Sequence, residues 1–497
     1  MKSLKYILMT LATGGLLTIN TGCSDFLETV PATSVSDQSV FTSVAGAQAA
    51  LNGCYFQMRA YSGGGANRQD DWGIPSIMMV SDVSADDMIV WGGWYCYCYN
   101  YWGETRGDIF RASALWTFHY RLINNVNSII AYIDDIPGDP TAKNHIKGQA
   151  LAMRGWAYFN LARIFQHTYA IAKDMPGVPI YTEPTTDQTE GKGRGTLEQT
   201  YKQVVDDLTE AETLLEGFNR GTLKNNMDQA VVQGILSDVY LTMTDWSNAE
   251  KYAKKVMAKY PLTSNENYLA GFSDINTPSW IWGMQQSEEQ NMSDYSPYAM
   301  WYIGSDYRTS GGCWSFKCFF LAKSFVDKFH ANDVRASQFG WEWDCIHYTY
   351  KFRDTDDCRG SIVFMRTESM LLNAAEALCR QGESKEAEAK ELLWRLQDMR
   401  QTPRSTSSGN ELLEEIWLER RKELYGEGYG LFDLNRTQKP LLRGSNHYLG
   451  GGDLQLPARS WRFIYQIPRG ELLNNKAMVD DIWPNGDQNP YDGVYNP

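Results

Sequence analysis

The chain has 497 residues, of which 43% are hydrophobic and 21% charged, with a formal net charge of −14. This composition is typical of a globular protein and excludes a disordered one. The negative charge argues against nucleic acid as the main partner, because phosphate binding needs clustered Lys and Arg. Aromatic residues make up 13% of the chain, with 17 Trp and 29 Tyr. Such a surplus indicates either recognition surfaces or a tryptophan-rich core.

The N-terminus predicts an exported protein. Lys2 and Lys5 precede an apolar run over residues 6–19, which is too short and too broken by glycine to span a bilayer comfortably. Residues 1–22 are therefore interpreted as a signal peptide. The sequence Thr21-Gly22-Cys23 resembles a bacterial lipobox, which implies cleavage before Cys23 and acylation of its thiol. The alternative is an ordinary secreted protein with Cys23 free or paired.

Beyond a polar tether, the chain alternates helical and irregular segments. Apolar spacings of three and four predict helices from about residue 44 and over 115–133 and 144–165. Thr196 is expected to cap a further helix that ends before Gly217. Residues 62–107 and 268–358 are rich in Gly, Trp and Tyr without a sustained period, so both are predicted to be irregular insertions.

Two helical stretches match the tetratricopeptide pattern loosely. They cover residues 230–261 and 366–400, and small residues at suitable offsets would let two helices of a hairpin pack closely. Plain antiparallel hairpins are the alternative. The predicted fold class is therefore all-α, with a scaffold of tetratricopeptide-like hairpins and long aromatic-rich loops.

The most unusual stretch is WGGWYCYCYNYWG, residues 91–103. If it is extended, its four tyrosines share one face, and Cys96, Cys98, Asn100 and Trp102 share the other. Exposed rings of this kind suit the flat C–H patch of a sugar. Stacking one ring contributes on the order of 2.5 kcal/mol, so two or three platforms must act together to offset an association cost of about 4 kcal/mol or more.

Motifs for catalysis and cofactors are absent from the sequence. It has no zinc-binding His pair, no phosphate-binding loop and no nucleophile elbow, and the glycines at 426–430 follow a predicted helix instead of a strand. Adjacent acids such as Asp70–Asp71 and Asp86–Asp87 are more often solvated or calcium-binding than catalytic. We expect no enzyme activity, no metal and no cofactor, and a bound Ca²⁺ is compatible with these acids but not predicted.

Several long segments resemble the SusD/RagB family of outer-membrane lipoproteins of Bacteroidota. The similarity runs from Cys23 to the C-terminus, and the matching segments are specific for this family when they are taken together. The matching segments are residues 23–28, 31, 146–163, 177–180, 366–377, 416–428, 432–436, 466–468, 471 and 474–475.

This resemblance implies a single SusD-like domain over residues 23–497 with four tetratricopeptide-like hairpins. It also implies a lipid-anchored protein on the outer membrane that faces the cell exterior, captures oligo- or polysaccharide and delivers it to a SusC-like TonB-dependent transporter. Some relatives handle peptides, so a peptide-binding lid is an alternative, and a glycoside hydrolase is a third.

The family's sugar contacts come from variable loops that match two regions of this chain. Both regions are aromatic, and the Tyr-Cys alternation departs from the relatives. The candidate ligand-binding residues are Trp91, Trp94, Tyr99, Asn100 and Trp102 in the first region, and Tyr298, Trp301, Tyr302 and Trp314 in the second.

Overall fold

The computed structural model describes residues 40–59, 71, 73–93, 95–101, 109–286, 301, 318–343, 346–354, 359–444, 447 and 454–481. Its helices are α1 Val44–Gln57, α2 Gly73–Val83, α3 Tyr95–Tyr99, α4 Phe110–Tyr132, α5 Pro140–Phe165, α6 Tyr169–Ala172, α7 Leu197–Leu214, α8 Gln229–Thr242, α9 Trp246–Met257, α10 Asn265–Leu269, α11 Lys323–Val326, α12 Thr367–Arg380, α13 Glu383–Met399, α14 Gly409–Leu424, α15 Gly430–Arg436 and α16 Arg469–Asn474. Its strands are β1 Met88–Val90, β2 Trp280–Met284, β3 Phe319–Ala322, β4 Phe339–Trp343, β5 Ile346–Thr349, β6 Ile362–Arg366, β7 Leu441–Arg443 and β8 Leu454–Leu456. Short 3₁₀ helices cover Val334–Gln338, Trp461–Phe463 and Lys476–Asp481.

The helical scaffold is held together by close helix pairs, of which α5 and α7 are the clearest. A Cβ atom on Gly148 would lie 2.8 Å from Leu215 Cγ, and one on Gly155 would lie 2.8 Å from Leu208 Cγ. The two glycines are seven residues apart, about two helical turns, so they form one groove on α5. Leucine side chains at the end of α7 and in its body fill that groove.

The predicted helices are confirmed, and so is the mainly helical fold class. Thr196 caps α7 through a capping box, in which its side chain accepts from the Gln199 N–H and the Gln199 side chain accepts from the Thr196 N–H. The two stretches with hairpin patterns fold as the packed pairs α8–α9 and α12–α13. Their tetratricopeptide-like character stays a prediction, as does the single domain.

The two insertions contain regular structure, so the prediction that they are irregular was wrong in part. The first holds α2, β1 and α3, and the second holds β2 to β5. Strand β1 pairs antiparallel with β3, with Ile89 opposite Phe320, within a four-stranded sheet of order β1-β3-β5-β4. The short β-ladders escaped detection because three- to five-residue strands give no sustained alternation. Their pairing joins the two aromatic insertions side by side.

A buried charge network centred on Glu423 connects these elements. The Glu423 carboxylate of α14 accepts four hydrogen bonds from three arginines: Arg335 (3.1 Å), Arg366 (2.8 Å) and Arg400 (3.0 and 2.7 Å). All four side chains are fully buried. Burial alone would raise the pKa of Glu423, but the guanidinium groups outweigh it and hold that pKa well below its usual range.

Removing the central carboxylate should destabilise the fold strongly. We expect Glu423→Gln to lower the free energy of unfolding by about 3–5 kcal/mol, because three buried cations lose their shared counter-ion. Glu388→Gln is the control, since Glu388 pairs with Lys254 on the exposed surface and such pairs contribute about 0–1 kcal/mol. Urea unfolding of both variants measures the difference. Equal losses would contradict a central role for Glu423.

The same carboxylate predicts a defined acid response. Its folded-state pKa lies below the unfolded value, so its stabilising contribution is present above the usual glutamate pKa of about 4.3 and is lost as pH falls through the folded pKa. The stability gap between the wild type and Glu423→Gln should therefore narrow below about pH 4. Urea midpoints measured at several pH values test this, and a gap that widens in acid would refute it.

Candidate ligand-binding face

The stretch after Trp91 is a short helix, so the extended interpretation of its tyrosines is wrong. Gly92 and Gly93 have φ of +91° and +75° and turn the chain into α3, a backbone region that glycine enters without steric cost. Tyr95 and Tyr99 then lie one turn apart on the buried face. Tyr97 lies between them on the other side and is 38% exposed.

Arg443 of β7 holds α3 in position from its buried side. Its buried guanidinium donates to the backbone carbonyls of Val83 (2.7 Å), Ala85 (3.0 and 2.6 Å) and Tyr99. The same group lies 4.2 Å from the centre of the Tyr99 ring, and the Tyr99 hydroxyl is 3.0 Å from His447 Nδ1. Tyr99 is only 2% exposed, so this predicted ligand residue has a structural role.

Three half-exposed rings share one side of the four-stranded sheet, which we call the aromatic face. Trp91, 36% exposed, follows β1 and contacts Phe320 of β3 with ring centroids 6.3 Å apart. The β3–β5 and β4–β5 registers place Tyr348 beside Phe320 and opposite Gly340. Tyr350 is two residues further on, with its ring centroid 5.3 Å from that of Tyr348.

Gly340 gives the aromatic face its shape. A Cβ atom at this position would lie 1.9 Å from Cζ of Tyr348, so the tyrosine ring lies directly on the glycine backbone. Tyr348 and Tyr350 were not among the predicted ligand residues. The alternation in the sequence Tyr348-Thr-Tyr350 was a signal for them, but their position beside Trp91 depends on strand register.

Two other predicted ligand residues lie in the interior. Trp301 is completely buried and stacks on Phe352 with centroids 5.3 Å apart and planes 16° apart. A sugar ring cannot reach that indole. Asn100 is also buried, and its side-chain Nδ2 donates to the Cys96 carbonyl at 3.0 Å. Of the predicted residues the structure describes, only Trp91 offers a ring to solvent.

The remaining predicted positions lie outside the described residues and stay predictions. They are Trp94, Trp102, Tyr298, Tyr302 and Trp314 for the ligand, and Cys23 for the lipid.

Two acids that precede β1 have structural partners. Asp82 accepts from the backbone N–H groups of Gly428 and Gly430, both at 2.7 Å, and Asp87 forms an ion pair with Arg421. Within the described ranges, no group of three His, Cys, Asp or Glu side chains could hold a metal ion. Over the same ranges, no helix combines the length and apolar character needed to cross a bilayer.

Comparison with known proteins identifies the family. A family model described as "Starch-binding associating with outer membrane" matches residues 25–241, and the model of the SusD family matches residues 273–491. The two matches together cover most of the chain. The chain belongs to the SusD family.

Solved SusD relatives share this fold over nearly their whole length. A SusD-like carbohydrate binding protein from Bacteroides vulgatus superposes with a TM-score of 0.78 at 28% identity, over 88% of this chain and 98% of that one. A SusD superfamily protein from Bacteroides thetaiotaomicron gives 0.72 at 25% identity, over 88% and 98%. SusD-like protein P2 of Formosa agariphila is 26% identical over 248 residues, which are 49% of this chain and only 44% of that protein.

The buried and the half-exposed tryptophans of this SusD-family chain should contribute differently to its stability. Trp301→Ala should cost about 3–5 kcal/mol of unfolding free energy because it empties a closed aromatic cluster. Trp91→Ala should cost less than about 1 kcal/mol, since a third of its surface is already in water. Chemical denaturation with matched baselines measures both. A larger loss for Trp91→Ala would mean that this ring is part of the core.

Proposed function

We propose that this protein captures oligo- or polysaccharide at the cell surface through the aromatic face and passes it to a SusC-like TonB-dependent transporter. The observation that carries the proposal is the row of half-exposed rings Trp91, Tyr348 and Tyr350 on one side of the sheet. Membership of the SusD family supports it, as does the description of the similar Bacteroides vulgatus protein as carbohydrate binding.

The affinity for a glycan depends more on how many rings act together than on any single ring. Each ring that covers a sugar removes roughly 100 Å² from water, which contributes about 2.5 kcal/mol. One ring cannot offset the association cost of about 4 kcal/mol or more. After that association cost is subtracted, three rings on one face leave a binding free energy of about −4 kcal/mol, which corresponds to millimolar affinity. A polysaccharide chain adds further contacts.

The ligand is bound without being cleaved and without a metal ion. Asp82 accepts from two backbone N–H groups, and Asp87 forms an ion pair with Arg421. These partners leave both acids poorly suited to act as a general acid and a nucleophile. The protein is held to the outer membrane by lipid on Cys23 and faces the exterior, where polysaccharide is available to it.

Affinity electrophoresis with a panel of polysaccharides tests the proposal. The wild type should be retarded by at least one glycan, and Trp91→Ala and Tyr348→Ala should each weaken that retention about tenfold or more, since each removes one stacking platform. Addition of EDTA should change nothing, and reducing ends should not accumulate on long incubation.

Trp341→Ala is the matched control. Trp341 is 65% exposed on the same sheet, but it pairs with His347 and therefore points to the side opposite Tyr348. Its loss should leave retention unchanged. If no glycan retards the folded wild type, or if Trp341→Ala weakens binding as much as Trp91→Ala, the aromatic face is not the glycan site.

A further inference from the structure

A cavity of 430 Å³ opens between α14, α15 and the loop that leads into β1. Its volume lies within the range of about 300–1,000 Å³ typical of small-molecule sites. Apolar and aromatic side chains form much of its wall, including Met88, Trp417, Leu418, Leu434, Pro440 and Leu442. Leu442 is exposed, and Trp417, Leu418 and Leu434 are half-buried, so the cavity is accessible from solvent.

This cavity is separate from the aromatic face. Met88 contributes to its wall, and side chains along β1 alternate between the two sides of the sheet. Ile89 and Trp91 therefore point away from the cavity, toward Phe320 and the aromatic face. Neither Tyr348 nor Tyr350 contributes to the cavity wall.

Most charged groups in the wall already have partners. Arg421 pairs with Asp87, Lys439 with Glu414, and Arg420 with Asp433. Asp82 accepts from the backbone N–H groups of Gly428 and Gly430 at the start of α15. These groups shape the wall but have little capacity left for a ligand.

Asp86 is different. Its Oδ1 accepts the Leu442 N–H at 2.8 Å, and no lysine or arginine in the described part of the chain forms an ion pair with its carboxylate. Burial, followed by the neighbouring charge of Asp87, raises the pKa of Asp86 above its usual value, and the charges of Arg421 and Arg443 offset this rise only in part. A half-buried carboxylate in an apolar wall gains most from a ligand that brings a positive charge.

We propose that the α14–α15 cavity binds a small organic cation, with an apolar ring or chain against Trp417 and Leu418 and an ammonium group on Asp86. A primary amine supplies the donors that this carboxylate lacks. The other basic group in the wall, Lys328, is exposed and does not neutralise Asp86. The site does not depend on glycan binding at the aromatic face.

Isothermal titration with three probes of matched shape tests the charge preference. The probes are 2-phenylethylamine, 2-phenylethanol and phenylacetate, which differ in carrying a positive, a neutral and a negative group. At pH 7 the amine should bind about tenfold or more tightly than the alcohol, because its hydrogen bond to a carboxylate is charge-assisted. Phenylacetate should bind more weakly still.

Two variants locate the binding. Asp86→Asn keeps an oxygen for the Leu442 N–H but removes the charge, so it should reduce the affinity for the amine to that for the alcohol. Leu418→Trp fills the cavity and should abolish binding of both probes. Asp187→Asn, at an exposed position outside the cavity, is the control and should bind as the wild type does. Circular dichroism establishes that each variant is folded.

Several outcomes would overturn the proposal. Failure of the amine to bind would exclude the site, and equal binding of amine and alcohol would exclude the role of Asp86. Tighter binding of phenylacetate would assign the cavity to an anion instead. If Leu418→Trp is folded and still binds the amine with wild-type affinity, the amine binds elsewhere. Glycan retention measured on the same variants should not change, which keeps this test independent of the aromatic face.

Discussion

The carboxylate of Glu423 is the point on which the rest of this structure depends. It neutralises arginines that come from a 3₁₀ helix, from the end of β6 and from the end of α13. Arg366 extends the network to Glu427, and Lys351 joins it there while donating to the Tyr425 carbonyl. Since a buried charge without a partner is very costly, these segments can only assemble in the arrangement that pairs them all.

This network also positions the aromatic face. Lys351 directly follows Tyr350, so anchoring its ammonium group to Glu427 at 2.6 Å holds the end of β5 against the scaffold. Arg443 holds α3 in a similar way, because it donates to the carbonyl of Val83 before β1 and to the carbonyl of Tyr99 after it. The exposed rings therefore stand on backbone that is fixed from within, and pre-organisation of this kind lowers the entropy lost when a ligand binds.

The sequence predicted the helical scaffold well and the arrangement of the aromatic residues after Trp91 poorly, for a physical reason. Segments 366–377 and 416–428, which carry the family resemblance, contain Arg366, Glu423 and Glu427, so their pattern reflects the buried network. The tyrosines at every second residue after Trp91 fit a strand and a helix equally well, because Tyr95 and Tyr99 are also one helical turn apart. The contact that supports the helix comes from Arg443, 344 residues away from Tyr99, and no local pattern reveals it.

Register at β1 links the two surfaces of the sheet. The Ala322 N–H donates to the Asp87 carbonyl at 2.9 Å, and the Trp91 N–H donates to the Cys318 carbonyl at 2.7 Å, so the pairing is fixed at both ends of the strand. A slip of one residue would turn Trp91 inward and Met88 outward, which would change the aromatic face and the α14–α15 cavity at once. The three residues of β1 thus determine which side chains each face of the sheet presents. The aromatic face and the α14–α15 cavity stay separate only while this register holds.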